Sequence, residues 1–462
     1  MHRLLAKVLD ARAAGRPAAA GGIMRQPFRL RVEVLGSAVR AVKAPGSVTG
    51  KRGEIRRAAV LPWAPKRGDL LVLDPTESRR FLAPDGPAPR RLAGAAARLF
   101  RGDVDCDGWE EDVFSNAFVS AAVQPHRGAR LVSLVGRDGR DRFAAPVVHI
   151  MAGQYLLLGG AEEFLPEGSM PGEIWNAAFD REEGDGPRAT YRRELKAPEG
   201  VTIAKTVAVE ADLPGVLELV RLSYAGRPAR SADDRGAGGG HAAKDTADLA
   251  IGIRMTTPVL GPAGSVNVVE IPSRGELTKV RFHRPAFGRR WRWRDWKDEH
   301  FGLFPGFLVS RNEREGNAMA VLFGDGRGSA VSVRSDFEGP EIMLRGRRRA
   351  VRKGGSVELG AAFLTADALA ATGSSLLLAA LGRRRGGAVP LALVVRTSRA
   401  VGRPTAALST AGGGRRAVAL RRREIPGAGA VHAAVVTARA SDFPIECSVR
   451  LGAERLSCVV EE

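Results

Sequence analysis

Residues 101–143 read RGDVDCDGWEEDVFSNAFVSAAVQPHRGARLVSLVGRDGRDRF. This stretch opens with an acidic loop, residues 103–111, and continues with two apolar runs, residues 114–124 and 129–136. Runs of this length and composition, joined by a short segment with Pro and Gly, are typical of paired β-strands. The stretch therefore predicts the opening of a large β-sheet, and the rest of the chain is interpreted from it.

The composition agrees with a chain made of many short strands. The protein has 462 residues, of which 44% are hydrophobic, and it contains 56 Gly and 27 Pro. This length suits two or three domains, and frequent Gly and Pro suit turns between strands better than long helices. Apolar runs follow one another from residue 113 to residue 363, which predicts an antiparallel sandwich.

The two strands carry a motif: Ser115-Asn116, an apolar run, the turn Pro125-x-x-Gly128, and a second run from Leu131. This pattern resembles the opening of galactose-mutarotase-like β-sandwiches and of the sandwich domain that follows the barrel in bacterial 4-α-glucanotransferases. The resemblance covers about residues 102–364 and implies a mostly β fold with a large antiparallel supersandwich. In this chain Ala129 replaces the second glycine of the turn.

The resemblance also limits the chemistry. In the glucanotransferases the catalytic carboxylates lie on the barrel, and a barrel needs about 250 residues. The sequence before residue 102 is too short to supply one, so the resemblance implies no inherited glycosidase activity in this chain.

The predicted organisation has four parts. Residues 1–99 form a basic region, partly disordered, with small β elements, and residues 100–367 form the supersandwich. Residues 368–387 are predicted to be a helix and a linker, the helix covering 367–381. Residues 388–462 contain six short strands, which predict a C-terminal immunoglobulin-like β-sandwich.

The acidic loop is a candidate structural Ca²⁺ site. Alternating carboxylates before a glycine can converge on one hard cation, with a backbone carbonyl as a further oxygen ligand. The predicted ligands are Asp103, Asp105, Asp107, the carbonyl of Trp109, and Glu111. The spacing departs from a helix–loop–helix calcium loop, because Phe114 stands where a bidentate Glu is needed. The alternative is a solvated acidic turn between two domains.

An aromatic segment is the candidate sugar-binding site. The segment contains Trp291, Trp293 and Trp296, with Arg292 and Asp295 between them. Sugars offer C–H faces that stack on aromatic rings, while Arg and Asp bond hydroxyl groups. The alternative is that these rings cover the core and the arginines face water.

Candidate catalytic residues follow from the resemblance, because mutarotases use a His and a Glu as acid and base. His283 and His300 flank the Trp segment, and Glu299 is the accompanying carboxylate. The acidic pair Glu162-Glu163 is interpreted as solvated loop charge, and on a strand the two residues would point to opposite faces.

Three functional hypotheses remain open. The first is a non-catalytic carbohydrate-binding protein of polysaccharide or α-glucan metabolism. The second is an aldose epimerase or glycoside hydrolase, and the third is an interaction module with an Arg-rich surface. The net charge of +20 is spread along the chain without a nucleic-acid motif, so no specific nucleic-acid partner is predicted.

Compartment and assembly are only weakly constrained. Three cysteines are too few for a disulfide framework. The longest apolar run, residues 375–381, is far shorter than the roughly 20 residues of a membrane span, so no membrane partner is predicted. No export signal is recognised, which predicts a cytoplasmic protein, and the oligomeric state stays open.

Overall fold

The computed structural model describes three strands in the first hundred residues and residues 97–461 with gaps. The gaps are 103–109, 138–140, 144–146, 152–153, 159, 166–173, 175–176, 185, 197, 227–245, 258–265, 274, 284–297, 302–305, 314–317, 325–329, 336–339, 384–386 and 398–403.

Almost every described element is a β-strand. The strands in chain order are β1 Leu30–Leu35, β2 Ala38–Ala41, β3 Leu70–Leu73, β4 Arg98–Gly102, β5 Glu111–Ser115, β6 Ser120–Gln124, β7 Arg130–Val135, β8 Val147–Met151, β9 Gln154–Leu158, β10 Gly160–Phe164, β11 Asp180–Glu183, β12 Arg188–Glu194, β13 Val201–Val209, β14 Gly215–Tyr224, β15 Thr246–Leu249, β16 Gly252–Thr256, β17 Val266–Ser273, β18 Glu276–His283, β19 Asp298–Phe301, β20 Phe307–Asn312, β21 Ala318–Phe323, β22 Ala330–Ser335, β23 Pro340–Arg345, β24 Arg349–Arg352, β25 Ser356–Ala366, β26 Ala368–Ala371, β27 Ser375–Leu381, β28 Ala388–Thr397, β29 Thr405–Thr410, β30 Arg415–Val418, β31 Arg421–Ile425, β32 Gly429–Arg439, β33 Ile445–Leu451 and β34 Glu454–Val460. A 3₁₀ turn, Ala440–Asp442, precedes β33.

The first three strands form a small antiparallel sheet in the order β2-β1-β3. The basic region predicted for residues 1–99 stays a prediction. Two further pairs, β8–β9 and β15–β24, stand as separate two-stranded sheets.

Sheet I has nine strands in the order β19-β22-β23-β16-β10-β7-β6-β5-β4. The quoted stretch provides β4 to β7, so its prediction as the opening of a large sheet is confirmed. The turn before β7 holds Gly128 at φ 77° and Ala129 at φ 46°. Both lie in the left-handed region that glycine enters most easily, which explains why the turn motif expects two glycines.

The alternative prediction for the acidic loop was a turn between two domains. The structure differs, because β4 and β5 pair as a hairpin around this loop within sheet I. Gly102 lies opposite Glu111 in this hairpin. Residues 98–102 form β4. The first sheet therefore begins at Arg98.

Sheet II also has nine strands, in the order β11-β12-β13-β14-β25-β21-β20-β17-β18. It packs against one face of sheet I around an apolar core that includes Phe114, Leu131, Val207 and Phe363. Phe143 meets Phe363 edge-on, with the ring centroids 5.4 Å apart. Two facing nine-stranded antiparallel sheets are the predicted large sandwich. β25 completes sheet II, because it pairs with β14 on one side and β21 on the other.

The C-terminal region is a second two-sheet sandwich. Sheet III has the order β26-β27-β28-β32-β31, and sheet IV has the order β30-β29-β33-β34. They enclose their own apolar core, in which the buried Cys447 and Cys458 are free thiols on opposite positions of β33 and β34. The immunoglobulin-like character of this sandwich stays a prediction.

A third apolar cluster joins the two sandwiches. It contains Leu217, Leu322 and Leu364 from the outer face of sheet II and Leu376 and Leu378 from sheet III. The four sheets are therefore stacked in the order I, II, III, IV.

The helix predicted for residues 367–381, within the predicted 368–387 helix and linker, is wrong. Residues 368–371 and 375–381 are strands β26 and β27. Along β27, residues 376, 378 and 380 belong to the cluster against sheet II, and residues 377, 379 and 381 belong to the core against sheet IV. A strand buried on both faces shows an unbroken apolar run without the period of two, which periodicity does not distinguish from a buried helix.

Within the described part of the chain, no helix has the length and apolar character needed to cross a membrane.

Candidate functional site on the outer face of sheet I

The two faces of sheet I differ in chemistry. On β16, Ile253 and Met255 belong to the core between the sheets, while Arg254 lies between them in sequence. Because successive strand residues point to opposite faces, Arg254 is on the outer face. The same alternation puts Glu162 and Glu341 on that face, beside core residues Ala161 and Ile342. The outer face of sheet I is thus polar at its centre.

Charged side chains cross this outer face from strand to strand. We call Arg130, Glu162, Arg254, Glu341 and Arg334 the charge ladder; they lie on β7, β10, β16, β23 and β22, five neighbouring strands. Arg130 Nη2 lies 2.5 Å from Glu162 Oε2, and Arg254 donates to Glu162 Oε1. Arg254 Nη1 is 3.5 Å from Glu341 Oε1. Arg334 donates from Nε and Nη2 to both oxygens of Glu341, each at 2.8 Å.

The ladder runs from the interior to the solvent. The side chain of Arg130 is 0% exposed, that of Arg254 is 6% exposed, and that of Arg334 is 37% exposed. Arg334, with the buried Glu341 behind it, therefore forms the open end of the ladder. A bidentate guanidinium–carboxylate pair is rigid, and it offers donors and acceptors in one plane.

At the buried end of the ladder, burial disfavours the charged forms of both Glu162 and Arg130. Burial raises the pKa of Glu162, and the guanidiniums of Arg130 and Arg254 oppose that shift. Burial lowers the pKa of Arg130, opposed by the carboxylate of Glu162. Each charge is tolerated here because its neighbours carry the opposite charge.

On the core side of sheet I, a second charged group was missed by the sequence interpretation. Lys205 Nζ lies 2.6 Å from Glu163 Oε1 and 3.4 Å from Glu218 Oε1, and all three side chains are buried. Burial raises the pKa of Glu163 well above its ordinary value; Lys205 opposes this shift, and Glu218 adds to it. Burial lowers the pKa of Lys205, but the two carboxylates outweigh it and raise that pKa overall.

The prediction for Glu162-Glu163 is therefore half right. The two residues are on strand β10, and their partners lie on opposite faces of sheet I. They are not solvated loop charges, because they are 2% and 1% exposed. Two acidic residues inside an apolar strand are the signal that points to buried partners.

The motif residue Asn116 has a structural role. Its Nδ2 donates to the carbonyls of Glu210 and Leu213, each at 2.7 Å, and its Oδ1 accepts from the amides of Phe118 and Val119. These bonds tie the β5–β6 turn of sheet I to the β13–β14 turn of sheet II. The motif thus indicates the fold and not a ligand.

The predicted catalytic residues lie on different sheets. His283 ends β18, an edge strand of sheet II, opposite Val266. His300 and Glu299 are on β19, an edge strand of sheet I, opposite Ser332 and Val333. Their catalytic pairing stays a prediction.

In sequence, the Trp segment lies between β18 and β19. Trp291, Arg292, Trp293, Asp295 and Trp296 lie outside the described residues. In sequence, Trp296 stands two residues before Asp298, which is opposite Arg334 in the register of β19 and β22.

The predicted metal ligands are only partly described. Asp103, Asp105, Asp107 and Trp109 lie outside the described residues, and Glu111 is buried at the start of β5. Among the residues that the structure describes, no group of three or more His, Cys, Asp or Glu side chains is arranged to hold a metal ion. The Ca²⁺ site stays a prediction.

No protein-family model matches this chain, and no curated protein sequence matches it. Among solved structures, the chain is similar to a galactose mutarotase-like protein from Clostridium acetobutylicum, with 8% identity over 59% of this chain and 99% of that chain and a TM-score of 0.41. It is similar to a putative aldose 1-epimerase from Escherichia coli, with 11% identity over 58% of this chain and 99% of that chain and a TM-score of 0.35.

A third match is a 4-α-glucanotransferase from Thermococcus litoralis, with 11% identity over 60% of this chain and 40% of that chain and a TM-score of 0.36. A TPR-domain containing protein from Parabacteroides distasonis is matched at 13% identity over 47% of its length, with a TM-score of 0.40. The chain thus spans less than half of these two larger proteins. At such identities and scores, the likeness does not extend to activity, substrate or site residues.

Proposed function

We propose that this protein binds carbohydrate at the open end of the charge ladder, beside β19. The observation that supports this most strongly is the bidentate pair of Arg334 and Glu341 at the more exposed end of the ladder. Sugar hydroxyl groups need donors and acceptors at fixed positions, and a planar guanidinium–carboxylate pair supplies both.

The Trp segment would supply the second half of such a site. Trp296 precedes the strand position opposite Arg334 by two residues. Rings at this place would stack on the C–H faces of a sugar whose hydroxyl groups are bonded by the ladder. A few convergent polar groups beside aromatic surface are typical of small-molecule sites.

The ladder favours binding over catalysis. Its two carboxylates, Glu162 and Glu341, both contact guanidiniums. Each carboxylate is thus engaged by two guanidiniums of the chain itself, which fixes it as a hydrogen-bonding group. We therefore propose a non-catalytic carbohydrate-binding role.

The test is electrophoresis of the full chain in gels that contain glycogen, an α-glucan. Trp293→Ala and Arg334→Ala should each reduce the affinity about tenfold, since one hydrogen bond to a charged group contributes about 1.5–3 kcal/mol. Trp63→Ala and Arg221→Ala are the matched controls, because Trp63 precedes the sandwich and Arg221 is exposed on sheet II. Equal retention of all four variants would contradict the proposal.

An epimerase is the second candidate, favoured by the position of His300 on β19 next to the strand that carries Arg334. Polarimetry of a freshly dissolved aldose separates the two functions. Anomer exchange that the protein accelerates, and that His300→Ala abolishes, would replace binding by catalysis as the function.

A further inference from the structure

The edge of the C-terminal sandwich carries a concentration of positive charge. Residues 383–462 contain fourteen Arg, no Lys and only six Asp or Glu. Five of these arginines lie on two consecutive edge strands, β30 of sheet IV and β31 of sheet III, and Arg423 is the least exposed of them. We call Arg415, Arg416, Arg421 and Arg422 the basic rim, and all four are exposed.

The rim is one continuous surface across both sheets. Only two residues separate β30 from β31. Arg416 of β30 also donates a 3.4 Å hydrogen bond from Nη2 to the carbonyl of Thr437, which is on β32 in the other sheet. Strands β30 and β31 are therefore neighbouring edges at one side of the sandwich.

A cleft of about 880 Å³ adjoins the rim. It lies between β31 and the β13–β14 turn of sheet II, and Pro187, Val209 and Leu213 give it an apolar wall. On the opposite side Arg421 and Arg422 line the cleft, and Arg422 is paired with Glu424. Glu210 and Asp212 also line the cleft, and both are neutralised by Arg423. Its volume is within the usual range for ligand sites, and sites between domains are common.

We infer that the basic rim and this cleft bind an anionic polysaccharide that carries carboxylate groups. Arg binds carboxylates bidentately, and the rim uses Arg alone. The apolar wall suits the C–H face of a sugar ring. Residues 411–425 contain no aromatic side chain, so the rim lacks the stacking surface typical of single-stranded nucleic-acid sites.

This inference deepens the proposed function, because it rests on a carbohydrate ligand and adds a second, charge-selective site in another domain. Sheet I would bind the neutral part of a glycan, and the rim would select for acidic residues. The two sites use different arginines, so they fail or hold independently.

The experiment compares two quadruple variants with the same loss of charge. The rim variant changes Arg415, Arg416, Arg421 and Arg422 to Gln. The control variant changes Arg347, Arg348, Arg349 and Arg352 to Gln, which are exposed on and beside β24 and do not line the cleft. The probe is polygalacturonate, titrated calorimetrically at constant salt.

The rim variant should raise the Kd for polygalacturonate at least about tenfold, and the control variant less than about twofold. An equal loss in both variants would show diffuse attraction by the net charge and overturn the inference. A duplex DNA titration that is weakened by the rim variant, together with unchanged polygalacturonate binding, would overturn it in favour of nucleic acid.

A single change guards against misfolding of the quadruple variant. Arg421→Lys keeps the charge but removes the bidentate geometry, so it should weaken polygalacturonate binding about threefold. Unchanged binding of Arg421→Lys and of Arg421→Gln would overturn the role of this residue. No rim variant should change the affinity for glycogen. Only Arg334→Ala and Trp293→Ala should reduce the affinity for glycogen.

Discussion

Sheets I and II have the same number of strands and share one core, yet their outer faces are opposite in character. The outer face of sheet II is apolar at its centre and is covered by sheet III through Leu217, Leu322 and Leu364. The outer face of sheet I carries the charge ladder across five strands. The apolar face is used for packing against sheet III, whereas the strands of sheet I are connected across their outer face by ion pairs.

The largest expected effect is on the buried end of the ladder. Glu162→Ala leaves the guanidiniums of Arg130 and Arg254 without their shared carboxylate and should lower the free energy of unfolding by about 3–5 kcal/mol. The matching change on sheet II, Leu364→Ala, creates a cavity and should cost about 2–5 kcal/mol. Urea denaturation measures both.

A surface pair provides the control for this comparison. Glu182→Ala breaks the ion pair with Arg192, in which both side chains are about half exposed, and it should cost less than about 1 kcal/mol. If Glu162→Ala lowers the free energy of unfolding no more than Glu182→Ala does, the ladder contributes little to stability. The contrast between the two outer faces would then have no energetic consequence.

A smaller effect on the free energy of unfolding is expected from Glu163, the residue that follows Glu162 and faces the core. The pKa of Glu163 is raised in the folded protein, so above its ordinary pKa the folded state holds a proton that the unfolded chain has lost. Glu163 therefore contributes to the free energy of unfolding at low pH. This contribution declines as the pH rises through the pKa that Glu163 has in the folded protein, by at most about 1.4 kcal/mol per pH unit.

Glu163→Gln should remove this decline, and urea denaturation from pH 4.5 upward measures it against the wild type. Lys205 and Glu218 are the charged groups in contact with this carboxyl. Glu358→Gln, at an exposed pair with Arg221, is the control and should keep the wild-type pH dependence. A Glu163→Gln variant that keeps it as well would show that Glu163 is ionised in the core.

The last comparison is between the acidic turns of the two sheets. In sheet II, Glu210 and Asp212 are neutralised by Arg423 of the C-terminal sandwich. We propose that Ca²⁺ neutralises the carboxylates of the acidic loop between β4 and β5 of sheet I. Saturation at 100 times the Kd would stabilise the fold by about 2.7 kcal/mol, so EDTA should lower the Tm by a few degrees, and Asp105→Asn should remove the effect. An EDTA-independent Tm in the wild type would leave the loop as a solvated turn.

Much of the fold was predictable from the sequence. The strand pair of the quoted stretch, the succession of strands after it and the two-sandwich organisation all follow from short apolar runs bounded by turn residues. The failure at residues 367–381 has a physical cause: β27 is buried on both faces, so its sequence Ser-Leu-Leu-Leu-Ala-Ala-Leu has lost the alternation that identifies strands.

The candidate site was less predictable. The ladder is assembled from strands that are distant in sequence, such as β7 and β22, and each strand contributes a single residue to it. A polar residue between two core residues, as in Ile253-Arg254-Met255, is a weak local signal. Its meaning emerges only when the register brings Arg254 opposite Glu162.

The position of β25 has a consequence for the order in which the chain can fold. This strand joins β14 to β21, so that Gly215 pairs with Leu364 and Phe323 pairs with Ala361. During synthesis, the two halves of sheet II remain separate until residue 366 has left the ribosome. Pairings over such long separations slow folding, and the unpaired edges of β14 and β21 are exposed meanwhile. A nascent chain arrested before Ser356 should therefore be a much better chaperone substrate than one arrested beyond Ala366.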